Sequence, residues 1–437
     1  MLNRNRAKRF IVFQIIFVLF SGLLIDLGLP AGVRYLTDII NLILFLGVLI
    51  STGTVRHKND MYKREVVIAD IVPMATMFLW LFFMLLSTCW KTPSILRMAW
   101  AARNWARFFL FFVACRIFLD KKAVENVYRG LFGIYIFDFF LICFQFLFLG
   151  SKGDNLGGIF GSMIGGNGQT NILLCIMLIL GICVYFEQKM NVAMLFFLLS
   201  STMAIAALEE LKIFYYEYIG ITVLVSVIYV VKKQARIQRM LRFAVAAILA
   251  WLVGLAILAA IFPRHFDVII GKTSYWTYEA HSSSQYKISR VKFIPEVNDL
   301  FFKKSPILNL TGYGFGNCEY SKFDFLISPF YREHGETNYL YFSHQTLFLE
   351  GGLIGLGLFV AIFGVIAAQH LKKLIACKIV NKYAVFGFVF GLVTMANVFY
   401  NNATRTEISY LTYFFLAAAS IMTNESEDSG PGVQSVA

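Results

Sequence analysis

The sequence predicts an all-α polytopic membrane protein, and three observations carry that expectation. Of 437 residues, 58% are hydrophobic. Only 15% are charged, where a soluble chain of this length carries about a quarter. The apolar residues fall in about twelve long, unbroken runs without the alternation of barrel strands, and a backbone in hydrocarbon must satisfy its polar groups within each segment. A water-soluble globular enzyme and a disordered protein are excluded.

Taken in order, the run 10-29 follows Arg4, Arg6, Lys8 and Arg9. At about 1.5 Å per residue it reaches roughly 30 Å, a hydrocarbon core. It exceeds a typical signal peptide and lacks a small-residue cleavage site, so it is expected to be retained as a span. Spans 35-50, 66-88, 102-119 and 130-149 follow, then a Gly-rich segment, Gly150 to Thr170. Spans 170-186, 191-207, 213-231 and 241-262 complete a first unit, 1-262, of nine helices. A segment of 79 residues, 263-341, interrupts the alternation, and spans 342-368, 382-399 and 407-422 close the bundle. Residues 423-437 read as a disordered acidic tail.

Lys and Arg set the expected orientation. With the N-terminus cytoplasmic, short inner segments hold 21 Lys/Arg, clustered at Arg4 to Arg9, Arg56 to Arg64, Lys121 to Arg129, Lys232 to Arg242 and Lys372 to Lys382, against eight in short outer ones. The positive-inside rule then puts both termini in the cytoplasm and segment 263-341 outside. This asymmetry absorbs much of the net charge of +13 without nucleic acid as a partner. Seven cysteines form no CxxC pair and no Cys/His cluster at metal-ligand spacing, so neither a metal nor another cofactor is expected. Cys89 and Cys318 would both face outside and are one possible disulfide.

The residues able to carry chemistry gather on the expected outer side. Arg103 and Arg107 are four apart, on one helix face. Lys212 follows ALEEL at the junction of two spans, and Arg290 and Lys292 stand in the long segment. Cations held in a partly dry cavity clamp phosphate or pyrophosphate; the alternative is that they snorkel as interfacial anchors. Four of six histidines, His265, His281, His334 and His344, lie in the long segment or at the helix start after it. Such a histidine either positions a hydroxyl or bonds a carbonyl. TGYGFGN (Thr311 to Asn317) and HQTLFLEGGLIGLGLF (His344 to Phe359) combine a Gly-rich turn with a Gly-rich helix start, a pattern for close backbone approach to a ligand or to another helix. Asp138, near the middle of a span, reads as a proton site or as a protonated interhelical hydrogen-bond partner. Glu209 and Glu210 flank Lys212 as its pairing partners.

These features together resemble the bacterial O-antigen polymerase and O-antigen ligase superfamily. The likeness lies in about twelve spans, a long outer loop before the last three, a G-x-G turn at Gly312 and Gly314, and E-x-G-x-x-G at Glu350, Gly352 and Gly355. GGIFGSMIGGNG resembles the G-T-F-G stretch of polymerase-like members with Ile159 in place of Thr, and ALEELKIFYY resembles their acidic-x-K-aromatic segment.

The resemblance implies a GT-C-like bundle. It also implies inverting transfer of a glycan from undecaprenyl pyrophosphate to a sugar hydroxyl on the outer face of the bacterial inner membrane. By resemblance Lys212 stands where ligases show Arg, and Arg290 matches the loop Arg upstream of the G-x-G turn. His344 lies three residues closer to Glu350 than the ligase histidine, with His334 as its competitor. Arg290, His344, His334 and Lys212 are the expected catalytic set; Arg103, Arg107, Lys292, Gly312, Gly314 and Glu350 are the expected substrate contacts. Expected partners are the lipid-linked oligosaccharide, membrane lipids, and other polysaccharide export and chain-length proteins. A polymerase of O-antigen, capsule or exopolysaccharide is the leading reading. A ligase is the runner-up, a flippase for lipid-linked units is the alternative of another class, and a non-catalytic membrane partner is the fourth.

Overall fold

Long apolar runs closed by capping residues fold as helices. A computed structural model describes residues 3–53, 71–89, 91, 94–162, 166–272 and 288–428, and no strand occurs among them. The basic segment Arg56 to Arg64, the first residues of the 66-88 span, His281, Lys287 and the tail beyond 428 lie outside the described residues. The long helices of the first unit are α1 (Arg4–Asp26), α2 (Leu36–Gly53), α3 (Ile71–Thr88), α4 (Ile95–Phe118), α5 (Lys121–Phe148), α6 (Asn167–Phe186), α7 (Val192–Leu208), α8 (Lys212–Val231) and α9 (Ile237–Ile261). Side chains of Ser94, Asp120 and Asn191 accept from backbone amides three residues on and so fix the starts of α4, α5 and α7.

Each of the twelve expected spans coincides with a helix. Among the described residues nine helices are long and apolar enough to cross a membrane, while α7 and Ser409–Thr423 are shorter apolar helices. The remaining one, α4, carries Arg97, Arg103, Arg107 and Arg116. Helices α4 and α5 start seven and nine residues before the expected boundaries, 102 and 130. A hydropathy reading stops at Arg97 and at Lys121 to Arg129, whereas the caps continue the helices through them. The last helix likewise runs on to Asp428, into the segment read as tail.

The described parts of segment 263-341 are folded: they hold four short α-helices, α10 (Pro263–Ile269), α11 (Phe293–Leu300), α12 (Pro306–Thr311) and α13 (Pro329–His334). It covers one end of the bundle, called here the loop face. The chain then closes with α14 (Ser343–Ala376), α15 (Lys382–Tyr400) and α16 (Ser409–Asp428). Helix α14 packs along α15 and α3, α16 on α4, and α7 on α9. Helix α6 is central: 83% of its apolar stretch is buried, against 28% for α5 and for α9, which form the outer rim. Rim residues such as Phe140, Phe144, Ile248 and Leu252 are exposed, as suits a lipid surrounding.

Two irregular segments enter the bundle. Helix α14, expected to be continuous, breaks at Gly352 (φ 62°, ψ −162°). The TGYG turn fills the break: Tyr313 N–H donates to Leu349 O at 2.7 Å and Gly314 N–H to Glu350 O at 2.9 Å. From α3, Trp80 Nε1 donates to Gly355 O at 2.9 Å beside it. The second segment is the Gly-rich stretch 156–161, buried between α1, α5 and α6. A Cβ on Gly22 of α1 would lie 1.7 Å from Phe160 O, so only glycine lets this backbone in.

Candidate functional site

His344, the second residue of α14, is wholly buried. Its Nδ1 lies 3.3 Å from Val398 O of α15 and its Nε2 3.2 Å from Arg290 O. The Phe293 ring meets it edge-on at 4.3 Å. Both nitrogens face carbonyl oxygens, so in either neutral tautomer the ring N–H is donated to the backbone. Gln345 Nε2 adds a bond to Ser289 O at 3.3 Å. The histidine thus holds residues 288–292 on the start of α14. This places the Arg290 guanidinium over the rings of Phe342 (4.3 Å) and Tyr400 (4.8 Å), at the loop-face end of α15. Lys292 is exposed at the start of α11. His334 is in the aromatic cluster of the loop, with Phe301 at 4.9 Å and Phe330 at 4.8 Å, and its Nε2 is 3.7 Å from Glu333.

Lys212 opens α8. Its Nζ is 3.0 Å from Glu210 Oε1, and His265 Nδ1 of α10 is 3.0 Å from the same oxygen. Burial, aided by the Lys212 charge, pushes His265 down to about 4. Burial raises the Glu210 carboxyl, and Lys212 opposes it.

The helix that Lys212 opens also carries part of a group that hydropathy did not single out. Glu217 of α8 accepts from Asn171 Nδ2 of α6 at 2.9 Å, Asn397 Nδ2 of α15 at 2.8 Å and Cys175 Sγ at 3.3 Å. Asn401 Nδ2 donates to Asn397 Oδ1 at 3.2 Å. Asn171 Oδ1 is buried and receives no hydrogen bond. The three residues sit three to five positions in from the loop-face ends of their helices, so they share one depth. Lys212 precedes Glu217 by five residues, about 7.5 Å of rise, and Arg290 lies over Tyr400, three residues beyond Asn397. The visible signal was an amide or carboxylate one turn inside three apolar runs.

The other expected contacts belong to the frame. Arg103 pairs with Asp38; Arg107 reaches Asp38 Oδ1 at 3.2 Å and Glu407 Oε1 at 3.6 Å. Arg405 pairs with Glu319, which also accepts from Asn104 Nδ2 at 3.3 Å. Burial pushes the Glu407 carboxyl up, but Arg107, Arg34 and Arg103 together outweigh it and hold it below its ordinary range. Burial wins at Glu319, whose carboxyl is raised despite Arg405. Arg103 and Arg107 are therefore matched by carboxylates of the fold, a pairing invisible between residues 65 and 69 positions apart.

Gly312, Gly314 and Glu350 form the joint between loop and helix. Glu350 Oε1 accepts Gly316 N–H and Cys318 N–H, each at 3.0 Å. A Cβ on Gly312 would stand 2.4 Å from the Glu350 carbonyl carbon. Lys91 Nζ ties α3 to this joint through Thr311 O (3.0 Å), Thr311 Oγ1 (2.7 Å) and Gly312 O (2.6 Å). Burial lowers that ammonium to about 8. Of the two meanings open to these glycines, close approach to a helix is the one realised. Cys89 and Cys318 are free thiols. Among the described residues, no group of three or more His, Cys, Asp or Glu is placed to hold a metal ion.

The structure thus brings Arg290 and His344 together, with Lys212 on the helix of Glu217, and sets Arg103, Arg107, Gly312, Gly314 and Glu350 into the frame. No protein-family model matches this chain, and no curated protein matches it.

Proposed function

We propose that the chain is a membrane glycosyltransferase that polymerises lipid-pyrophosphate-linked repeat units of a bacterial envelope polysaccharide, acting at the loop face on the outer side of the inner membrane. The observation that supports this best is the hydrogen-bonded group Asn171, Glu217 and Asn397 at the ends of α6, α8 and α15, with Lys212 opening the helix of Glu217 and Arg290 over Tyr400, three residues beyond Asn397. The resemblance of the E-x-G-x-x-G and ALEELK segments adds to it.

In this mechanism the acceptor hydroxyl oxygen attacks the anomeric carbon of the donor sugar from the face opposite the pyrophosphate. One C–O bond forms, the C–O bond to pyrophosphate breaks, and the lipid pyrophosphate leaves with the electron pair. Arg290 and Lys212 offset the charge growing on that leaving group. Glu217, held by Asn397, takes the hydroxyl proton, and Asn171 orients a sugar hydroxyl through its Oδ1. His344 is a positioning residue, since its nitrogens are spent on Arg290 O and Val398 O. Arg103, Arg107, Gly312, Gly314 and Glu350 act through the frame.

The test is the length distribution of lipid-pyrophosphate-linked glycans in cells lacking the gene, complemented with wild type, Arg290→Ala or Glu217→Gln at matched membrane abundance. Wild type restores long chains, and each variant leaves mostly single units, with losses of about 10²-fold or more. Long chains that persist on lipid without reaching their acceptor would make the protein a ligase. Single units held on the cytoplasmic side would make it a flippase. Full chains from Arg290→Ala would remove that residue from the site.

A further inference from the structure

Two buried carboxyl groups are absent from the proposed mechanism. Asp138 and Glu209 are both wholly buried. Asp138 lies ten residues before the end of α5, about 15 Å below the loop face. Glu209 follows the last residue of α7 and, like Leu211, is buried. The two carboxylates are near enough for the charge of one to act on the other.

What surrounds them is unusual. Asp138 Oδ1 accepts Ile159 N–H at 2.9 Å from the buried segment 156–161. Asp138 Oδ2 receives nothing from the protein. Glu209 has only the buried Thr170 hydroxyl beside it. Polar groups of the adjoining segments are engaged elsewhere. Tyr135 OH meets Ser201 Oγ at 2.5 Å, and Gln145 holds Gly158 N–H at 2.9 Å. Asp26 accepts Ser162 N–H at 2.6 Å, and Asp154 accepts from Asn167. Lys212 and His265 both face Glu210. Neither Asp138 nor Glu209 has an ion-pair partner among the described residues.

Two bare carboxylates side by side in a dry interior are not stable, because each buried ion costs several kcal/mol without a counter-charge. Oxygens without donors, Asp138 Oδ2 and those of Glu209, are the ligand set that a small cation satisfies. We infer that Asp138, Glu209 and Thr170 form a binding site for one small monovalent cation, a proton or sodium, seated beneath the 156–161 segment. Loading the site cancels one of the pair's two negative charges, the two carboxyls sharing the cation, and weakens the hold of Asp138 on Ile159 N–H, so occupancy is linked to the seating of that segment. The inference is independent of glycosyl transfer.

The test uses the purified full chain in nanodiscs, treated with dicyclohexylcarbodiimide, which modifies protonated carboxyls in apolar surroundings; peptide mass spectrometry then reads Asp138 and Glu209. With a proton as occupant, labelling falls about tenfold per pH unit above the pair's own pKa and ignores sodium chloride. With sodium as occupant, sodium chloride protects the pair at constant pH while choline chloride does not. In either case the unfolding midpoint of the wild type depends on pH or sodium, and the Asp138→Asn, Glu209→Gln double variant loses that dependence. Absent labelling in all conditions, together with a midpoint whose pH and sodium dependence is the same in wild type and double variant, would overturn the site.

Discussion

Gly352 lies against the backbone of Leu310: a Cβ on Gly352 would stand 2.3 Å from the Leu310 carbonyl carbon, and its φ of +62° is one that side chains avoid. Gly352→Ala is therefore expected to cost about 1–3 kcal/mol in backbone strain alone, with displacement of α12 in addition. Gly357→Ala, where a Cβ meets nothing within 4 Å, should be neutral or stabilising by up to about 1 kcal/mol. Unfolding midpoints of the two variants in detergent check the contrast; equal midpoints would deny the joint its tightness.

Arg405 compensates Glu319, which is wholly buried. Truncating Arg405 to alanine leaves that carboxylate without its ion partner and should destabilise the protein by about 3–5 kcal/mol. Combining Arg405→Met with Glu319→Gln should recover most of the loss, because the charge is removed along with its partner. A double-mutant cycle on unfolding free energy measures this, and additive losses would argue against the coupling.

His344→Phe keeps ring volume and removes the one hydrogen bond that the neutral ring donates to the two carbonyls it faces, a contribution of about 1 kcal/mol. Faster hydrogen exchange in residues 288–300, with lower rather than absent polymer, is the expected result. A general base would give the opposite pattern: product lost and exchange unchanged.

His265 should make stability fall on acidification. Its folded pKa of about 4 lies below the ordinary 6.5 because of burial and then Lys212. Between these values the unfolded chain binds the proton and the folded one does not, so stability is present above about pH 6.5 and declines toward pH 4. Unfolding midpoints over that window for wild type and His265→Gln provide the check: the variant's curve should be flatter, and parallel curves would count against the assignment.

The helices were legible because runs such as 170-186 and 382-399 are apolar from end to end, and lipid demands little else of a sequence. Boundaries failed where Arg97 or Lys121 to Arg129 made a helical turn look like a loop. The break at Gly352 was hidden inside an apolar stretch, because a backbone kink leaves hydropathy unchanged. Arg290 and Lys212 were singled out by charge, by position and by the family resemblance. Glu217 was missed because its meaning depends on Asn171 and Asn397, 46 and 180 positions away. For the same reason Arg103 and Arg107 looked available: their carboxylate partners arrive from other helices.

The contacts of α3 also carry a demand on biogenesis. Its indole N–H at Trp80 finds its acceptor at Gly355, 275 residues later; Lys91, just beyond the helix, finds acceptors at Thr311 and Gly312; and the Thr88 hydroxyl oxygen accepts from Phe315 N–H. While the ribosome works through those residues, an early helix waits in the bilayer with donors that nothing yet made can satisfy, at a cost that hydrocarbon does not relieve. The third helix is thus a template that is completed late, and nascent chains released before residue 355 present quality-control proteases with an exposed, polar-studded span.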